Sequence, residues 1–157
     1  MTTKTTPRIC LAMALADVAH HQQFYGNGLD YYTYHVHGVV ATLQHSLTAL
    51  GLDDASKESF IIVAFLHDVV EDTAITIETI NQLFGDSIGK AVDAITKRKG
   101  EHNIEYLVRC KGNYTAKLVK TADAFFNASN ALCETRHDRV AYYQSVCDYM
   151  RDLIKVD

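Results

Sequence analysis

One proline in 157 residues, Pro7, leaves the body of the chain without a helix breaker. Strand-like alternation of apolar and polar residues is scarce as well, which argues against a sheet protein. The four cysteines, Cys10, Cys110, Cys133 and Cys147, form no CxxC pair and no zinc-finger spacing. They read as reduced thiols and fit a cytoplasmic protein. No apolar run approaches the roughly 20 residues that span a bilayer, so no membrane role is expected. The N-terminal "MTTKTTPRIC" lacks the charged start and apolar core of a secretory signal, and residues 1–8 read as a disordered lead-in. There is no excess of basic charge: 15 Lys and Arg face 19 Asp and Glu, a net charge of −4. That balance excludes a dominant nucleic-acid surface and leaves room only for a local basic pocket. A chain of this length buries roughly 70% of its unfolded surface, so it needs neither disulfide nor metal merely to fold. One domain over residues 1–157 is the expectation, with no room for a second catalytic or regulatory domain.

What is present is helical periodicity. Ile9, Met13, Ala16 and His20 fall on one stripe. "GNGLDYY" reads as a loop. A second helix is predicted from Tyr34 to Leu50, stopping at Gly51, and "DDAS" offers caps for a third from Lys57 to Val70. Phe60 to Leu66 is apolar on every face, which predicts a central, buried helix. Thr76 reads as an N-cap, Gly85 as a left-handed helix end, and Asp86 as the cap of "SIGKAVDAIT". After the basic loop "TKRKGEHN" come a short helix, "IEYLVRC", and long ones over Thr115–Asn130 and Arg136–Val156. The fold class expected is an all-α bundle of about seven to eight helices.

The stretch "FLHDVVEDTAIT" sets His67, Asp68, Glu71 and Asp72 at the end of that buried helix. On a helix, 67 and 71 share a face, as do 68 and 72. Acids there repel one another and oppose the helix dipole, which favours cations at a C-terminus. A divalent metal resolves both problems, and imidazole with carboxylate suits manganese, iron or zinc. Upstream lies His35; downstream "VKTADAFFN" holds Lys120, Asp123 and Asn127, with 123 and 127 one turn apart.

The order His, His-Asp, Asp on separate helices resembles that of the HD-domain phosphohydrolases. "HDVVEDT", then "FG", then "VKTADAFFN" is similar to the hydrolase domain of Rel/SpoT-type alarmone enzymes and their small single-domain relatives. "AHHQQFY", "YYTYHVHGV" and "ITKRKGEHNIEYLVR" extend the resemblance over about Ala14 to Asn127. It implies an HD-domain bundle that removes the 3′-pyrophosphate from guanosine tetra- and pentaphosphate, usually with manganese. Carried over, His35, His67, Asp68 and Asp123 would be metal ligands, and Glu71 and Asp72 would position and activate the attacking water. Asn127 would touch the substrate or brace Asp123. Lys97, Arg98 and Lys120 would neutralise phosphate, and Tyr106 would line the nucleoside pocket. His37, two residues from His35, cannot share its face and reads as packed or half-exposed; His20, His21, His45, His102 and His137 carry no functional reading.

The chain departs from the family in three places. Tyr25-Gly26 stands where many members have an Arg-Lys pair, Tyr31 stands where they have proline, and Ala124-Phe125-Phe126 follows Asp123 where a charge is common. The partner implied is a small nucleotide, and "QFYGNGLDYY" is expected to decide which one. The alternatives are another HD phosphohydrolase, acting on a deoxynucleotide or nucleoside phosphate, and a non-catalytic nucleotide-binding module. A homo-oligomer is compatible with all of these.

Overall fold

The computed structural model describes residues 5–151. Eight helices of eight residues or more appear there, together with a four-residue helix and a π-helical turn. The all-α expectation is met. The N-terminal expectation is corrected: Pro7 is not outside the helices but opens α1 (Pro7–Ala19). Proline suits a first helical turn, where its missing N–H would have no partner. Thr6 Oγ1 accepts from the Ile9 N–H, and Arg8 donates to Glu58 and to the Phe84 carbonyl, which ties the start of α1 to the bundle. Residues 1–4 of the expected lead-in lie outside the described residues.

After α1 the chain closes a short loop. The Tyr25 N–H donates to the Leu29 carbonyl and the Tyr31 N–H to the Gln23 carbonyl. Gln22 takes a φ of 62°, rare for a side-chain-bearing residue, and Gly28 supplies a φ of 80°. A π-helical turn over Tyr32–Val36 then leads into α2 (His37–Ala49). α3 (Asp54–Leu66) starts where Asp53 Oδ1 accepts from the Ser56 N–H at 2.7 Å. Phe60 to Leu66 are all buried. Ile61, Ile62 and Leu66 each contribute roughly 1.5–3 kcal/mol by burial, enough to hold this end of α3 inside despite the ionisable residues that follow.

The predicted third helix does not run unbroken to Val70. It turns at His67 and Asp68 and resumes as α4 (Val69–Asp72), whose Asp72 N–H still donates to the Asp68 carbonyl. α5 (Ile77–Phe84) is capped by Thr76, as expected. Gly85 takes a φ of 84°, on the left-handed side as expected, and its ψ of 163° turns the chain out of the helix. Asp86 is the first residue of α6 (Asp86–Ile95) and makes no capping bond; Gly85 holds the cap position. α7 (Asn103–Lys111), α8 (Tyr114–Cys133) and α9 (His137–Arg151) complete the described bundle, and the expected end at Val156 lies outside it. α8, capped by Asn113, packs against α2, α3, α6, α7 and α9. Gly38 permits close approach there: a methyl group on it would collide with the Phe126 ring of α8.

Candidate active site

Three parts of the fold bring ionisable side chains to one point. The π-helical turn supplies His35, the break between α3 and α4 supplies His67 and Asp68, and α8 supplies Asp123. One ligand atom from each of His35, His67 and Asp123 lies within 4.8 Å of the other two. Asp68 Oδ2 stands 2.8 Å from His67 Nε2 and 3.2 Å from His35 Nε2. His35 Nε2 is 3.5 Å from Asp123 Oδ1. Both imidazoles are almost wholly buried, at 2% and 1% exposure.

The donor set fits a divalent cation. His67 Nδ1 lies 2.7 Å from the Ala64 carbonyl, so it donates there, and Nε2 is the ring nitrogen that faces His35 Nε2, 3.3 Å away, and would be free to hold an ion. Two nitrogens so close to two carboxylates want a positive centre between them. Burial disfavours a charged His67, but Asp68's charge and hydrogen bond outweigh it and raise the pKa to about 9. Asp68 is held well below the usual carboxylate range, since His67 overcomes the opposing effect of burial. Asp123 is likewise lowered, with Lys120's charge prevailing over burial, and Lys120 is raised because Asp123 outweighs its own burial. Nitrogen and oxygen donors together suit manganese, iron or zinc.

A cleft of about 360 Å³ opens over this centre. Glu71 and Asp72 line it from α4, and both carboxyls are raised by burial and by the neighbouring Asp68 charge. Glu71 Oε2 accepts from the Lys97 N–H at 2.7 Å. Lys120 Nζ lies 2.8 Å from Asp123 Oδ2, and Asn127 Nδ2 donates to Asp123 Oδ1 at 2.6 Å. Lys97 lines the cleft with them. Tyr106 borders it too, yet is only 6% exposed and spends its hydroxyl on the Ile95 carbonyl at 2.7 Å. Arg98 is turned elsewhere: it pairs with Asp93 at 3.2 Å and is not among the lining residues. Its neighbour Lys97 lines the cleft instead.

Other residues enter the site without having been singled out as site residues from sequence. Tyr31 donates to Asp68 Oδ2 at 2.6 Å, and Tyr25 donates to Asn127 Oδ1. Fully buried His20 lies 2.8 Å from Gln23 Oε1, and Gln23 Nε2 donates to the Asp72 carbonyl at 3.1 Å. Arg136 and Arg139, before and within the first turn of α9, add cations to the cleft. A tyrosine-rich loop before His35 was the one available signal for the first pair; nothing local marks the arginines.

An all-α bundle in which His, His-Asp and Asp converge from separate helices has the architecture of the HD-domain proteins. Relatives place the chain more narrowly. It is 42% identical over 149 residues to a protein of Synechocystis named probable guanosine-3′,5′-bis(diphosphate) 3′-pyrophosphohydrolase, covering 85% of this chain and 18% of that one. It is 35% identical over 108 residues to the GTP pyrophosphokinase rsh of Brucella suis, covering 60% of this chain and 14% of that one. It is 31% identical over 103 residues to the guanosine-3′,5′-bis(diphosphate) 3′-pyrophosphohydrolase MESH1 of Danio rerio, covering 61% and 53%. A solved structure of a metazoan SpoT ortholog that hydrolyses ppGpp superposes with a TM-score of 0.74 at 26% identity, over 96% of this chain and 89% of that one. No family model matches. The chain spans less than a fifth of the Brucella and Synechocystis proteins and about half of MESH1. It is a homologue of the Rel/SpoT-type proteins with the HD-domain fold.

Proposed function

We propose that this chain is a manganese-dependent pyrophosphohydrolase that removes the 3′-pyrophosphate of guanosine tetra- and pentaphosphate. The observation that carries the proposal is the convergence of His35, His67, Asp68 and Asp123 beneath a cleft edged by Glu71 and Asp72. The names and title of the Synechocystis, Danio rerio and metazoan relatives support the substrate. The four converging residues would hold the ion. When bound, it supplies Lewis-acid polarisation of the phosphate and lowers the pKa of the attacking water.

The remaining work falls to side chains. Glu71 and Asp72 orient the water and take its proton, and their raised basicity suits a proton acceptor. The Lys97 N–H fixes Glu71 in that position. Lys120 and Lys97, with Arg136 and Arg139, meet the charge of the pyrophosphate in a net-acidic molecule. Asn127 braces Asp123, and Tyr106 forms an apolar wall. Free thiols at Cys10, Cys110, Cys133 and Cys147 support a cytoplasmic setting.

The test is release of pyrophosphate from guanosine tetraphosphate by the purified protein with Mn2+, with Asp68→Ala as the inactive control. Turnover by the wild type alone is expected. No pyrophosphate release, but turnover of deoxynucleotides or nucleoside monophosphates, would assign the site to another HD phosphohydrolase. Tyr25 and Gly26 on the cleft wall are the observation that favours that second reading.

A further inference from the structure

The two buried imidazoles of the metal centre are held in different ways. His67 is oriented by a hydrogen bond from Nδ1 to the Ala64 carbonyl. Ligand histidines generally donate their second ring N–H to such a partner, which fixes both tautomer and ring plane. His35 Nδ1 is buried and has no hydrogen-bond partner among the described residues. What surrounds its ring is aromatic. Tyr31 is tilted at 4.9 Å between centroids, and Phe126 stands edge-on at 5.5 Å. Tyr25 alone lies parallel, at 5.2 Å and 12°.

Tyr25 also reaches across the centre. Its hydroxyl donates to Asn127 Oδ1, and Asn127 Nδ2 donates to Asp123 Oδ1 at 2.6 Å. One side chain therefore stacks on one ligand and, through a single amide, restrains another that comes from a different helix. Its backbone is fixed for the purpose. The Tyr25 N–H donates to the Leu29 carbonyl and its own carbonyl accepts from Gly28, each at 2.8 Å. The same loop is tied to α4 by Gln23 and the Asp72 carbonyl.

We infer that Tyr25 is a positioning residue of the metal centre, a clasp that sets the plane of the His35 imidazole by stacking and the orientation of Asp123 through Asn127. The stack takes the place of the missing hydrogen bond on His35. The loop "QFYGNGLDYY" thus does more than face the substrate: it is joined to the metal ligands themselves.

The inference rests on His35 and Asp123 being metal ligands, and its test reads metal binding rather than turnover. Mn2+ is titrated calorimetrically into the wild type, Tyr25→Phe and Tyr25→Leu. Tyr25→Leu, which removes ring and hydroxyl, is expected to weaken Mn2+ binding by about 10-fold or more, the usual effect of losing an orienting partner. Tyr25→Phe keeps the ring and is expected to weaken it less. Wild-type affinity in Tyr25→Leu overturns the inference, as does an equal loss in the two variants, since stacking would then orient nothing. A wild type that fails to bind Mn2+ sinks the proposed function along with it, whereas the first two outcomes leave that function standing. Should Tyr25→Leu lose its helical circular dichroism, the ring protons of His35 in the metal-free wild type decide. An upfield shift from the stacked ring upholds the clasp, and unshifted resonances overturn it.

Discussion

Asp72 carries its charge where the folded protein disfavours it. Burial first, and then the adjacent Asp68 charge, raise its carboxyl above the ordinary 3.8. A raised carboxyl means that the folded state holds its proton more tightly than the unfolded one. That contribution to stability is complete below 3.8 and is lost as pH rises through the raised value, so at neutral pH Asp72 weakens the metal-free fold. Asp72→Asn should therefore melt higher than the wild type at pH 7 without metal, and the difference should vanish near pH 3. On the role proposed for Asp72, the same variant should lose about 10²–10⁴-fold in turnover. Calorimetric melting at the two pH values and a pyrophosphate assay check both halves; an unchanged or lower melting point at pH 7 would contradict the first. At this scale the acids and imidazoles were legible in sequence, because His67, Asp68, Glu71 and Asp72 are crowded into six residues at the end of an apolar run. The tyrosines were not, since Tyr31 meets Asp68 across 37 positions and Tyr25 meets Asn127 across 102. A hydroxyl has no periodicity that announces its acceptor.

Among the elements, the loop after α6 shows how a remote residue serves the cleft. Arg109 of α7 donates to the carbonyls of Asp93, Ala94 and Thr96, with 3.1 and 3.0 Å to the last two, and pairs with Glu101 at 2.6 Å. It closes the C-terminal end of α6 and fixes the segment whose Lys97 N–H holds Glu71. Arg109→Ala should cost about 1–3 kcal/mol, mainly through carbonyls left without donors. Arg109→Lys should recover little, since a point charge cannot replace a planar fork. The hydrogen bonds from Arg109 also hold the Glu101 carboxyl below its ordinary 4.5. That contribution is present above 4.5 and fades as pH falls through the lowered value, so the urea-unfolding gap between wild type and Arg109→Ala should shrink on acidification. A gap independent of pH would remove Glu101 from the account. Helices were legible wherever a cap and an apolar face coincided, as at Thr76 and along Phe60–Leu66. The break at His67-Asp68 and the π-helical turn at His35 were not, because both are set by what the side chains must reach rather than by local propensity.

For the molecule as a whole, the site gathers acids in a chain that is already acidic. Asp68, Glu71, Asp72 and Asp123 converge on one cleft from the α3–α4 break, α4 and α8, within a net charge of −4. Apolar packing of α3 and α8 forces that convergence, since both helices lie in the core and cannot separate without exposing it. A cation at the centre should then tie the π-helical turn, the α3–α4 break and α8 together, and it can bind only when they are already folded. By mass action, Mn2+ at 100 times its Kd should stabilise the fold by about 2.7 kcal/mol. For a domain of this size that corresponds to a rise of about 5–10 °C in Tm. The rise should reverse with a chelator, and Asp68→Ala should shrink it by removing one of the proposed ligands while leaving the apolar core intact. Differential scanning calorimetry across a Mn2+ series reads the effect directly. A Tm indifferent to Mn2+ would mean that these four side chains converge for packing alone, and an undiminished rise in Asp68→Ala would move the ion elsewhere in the cleft.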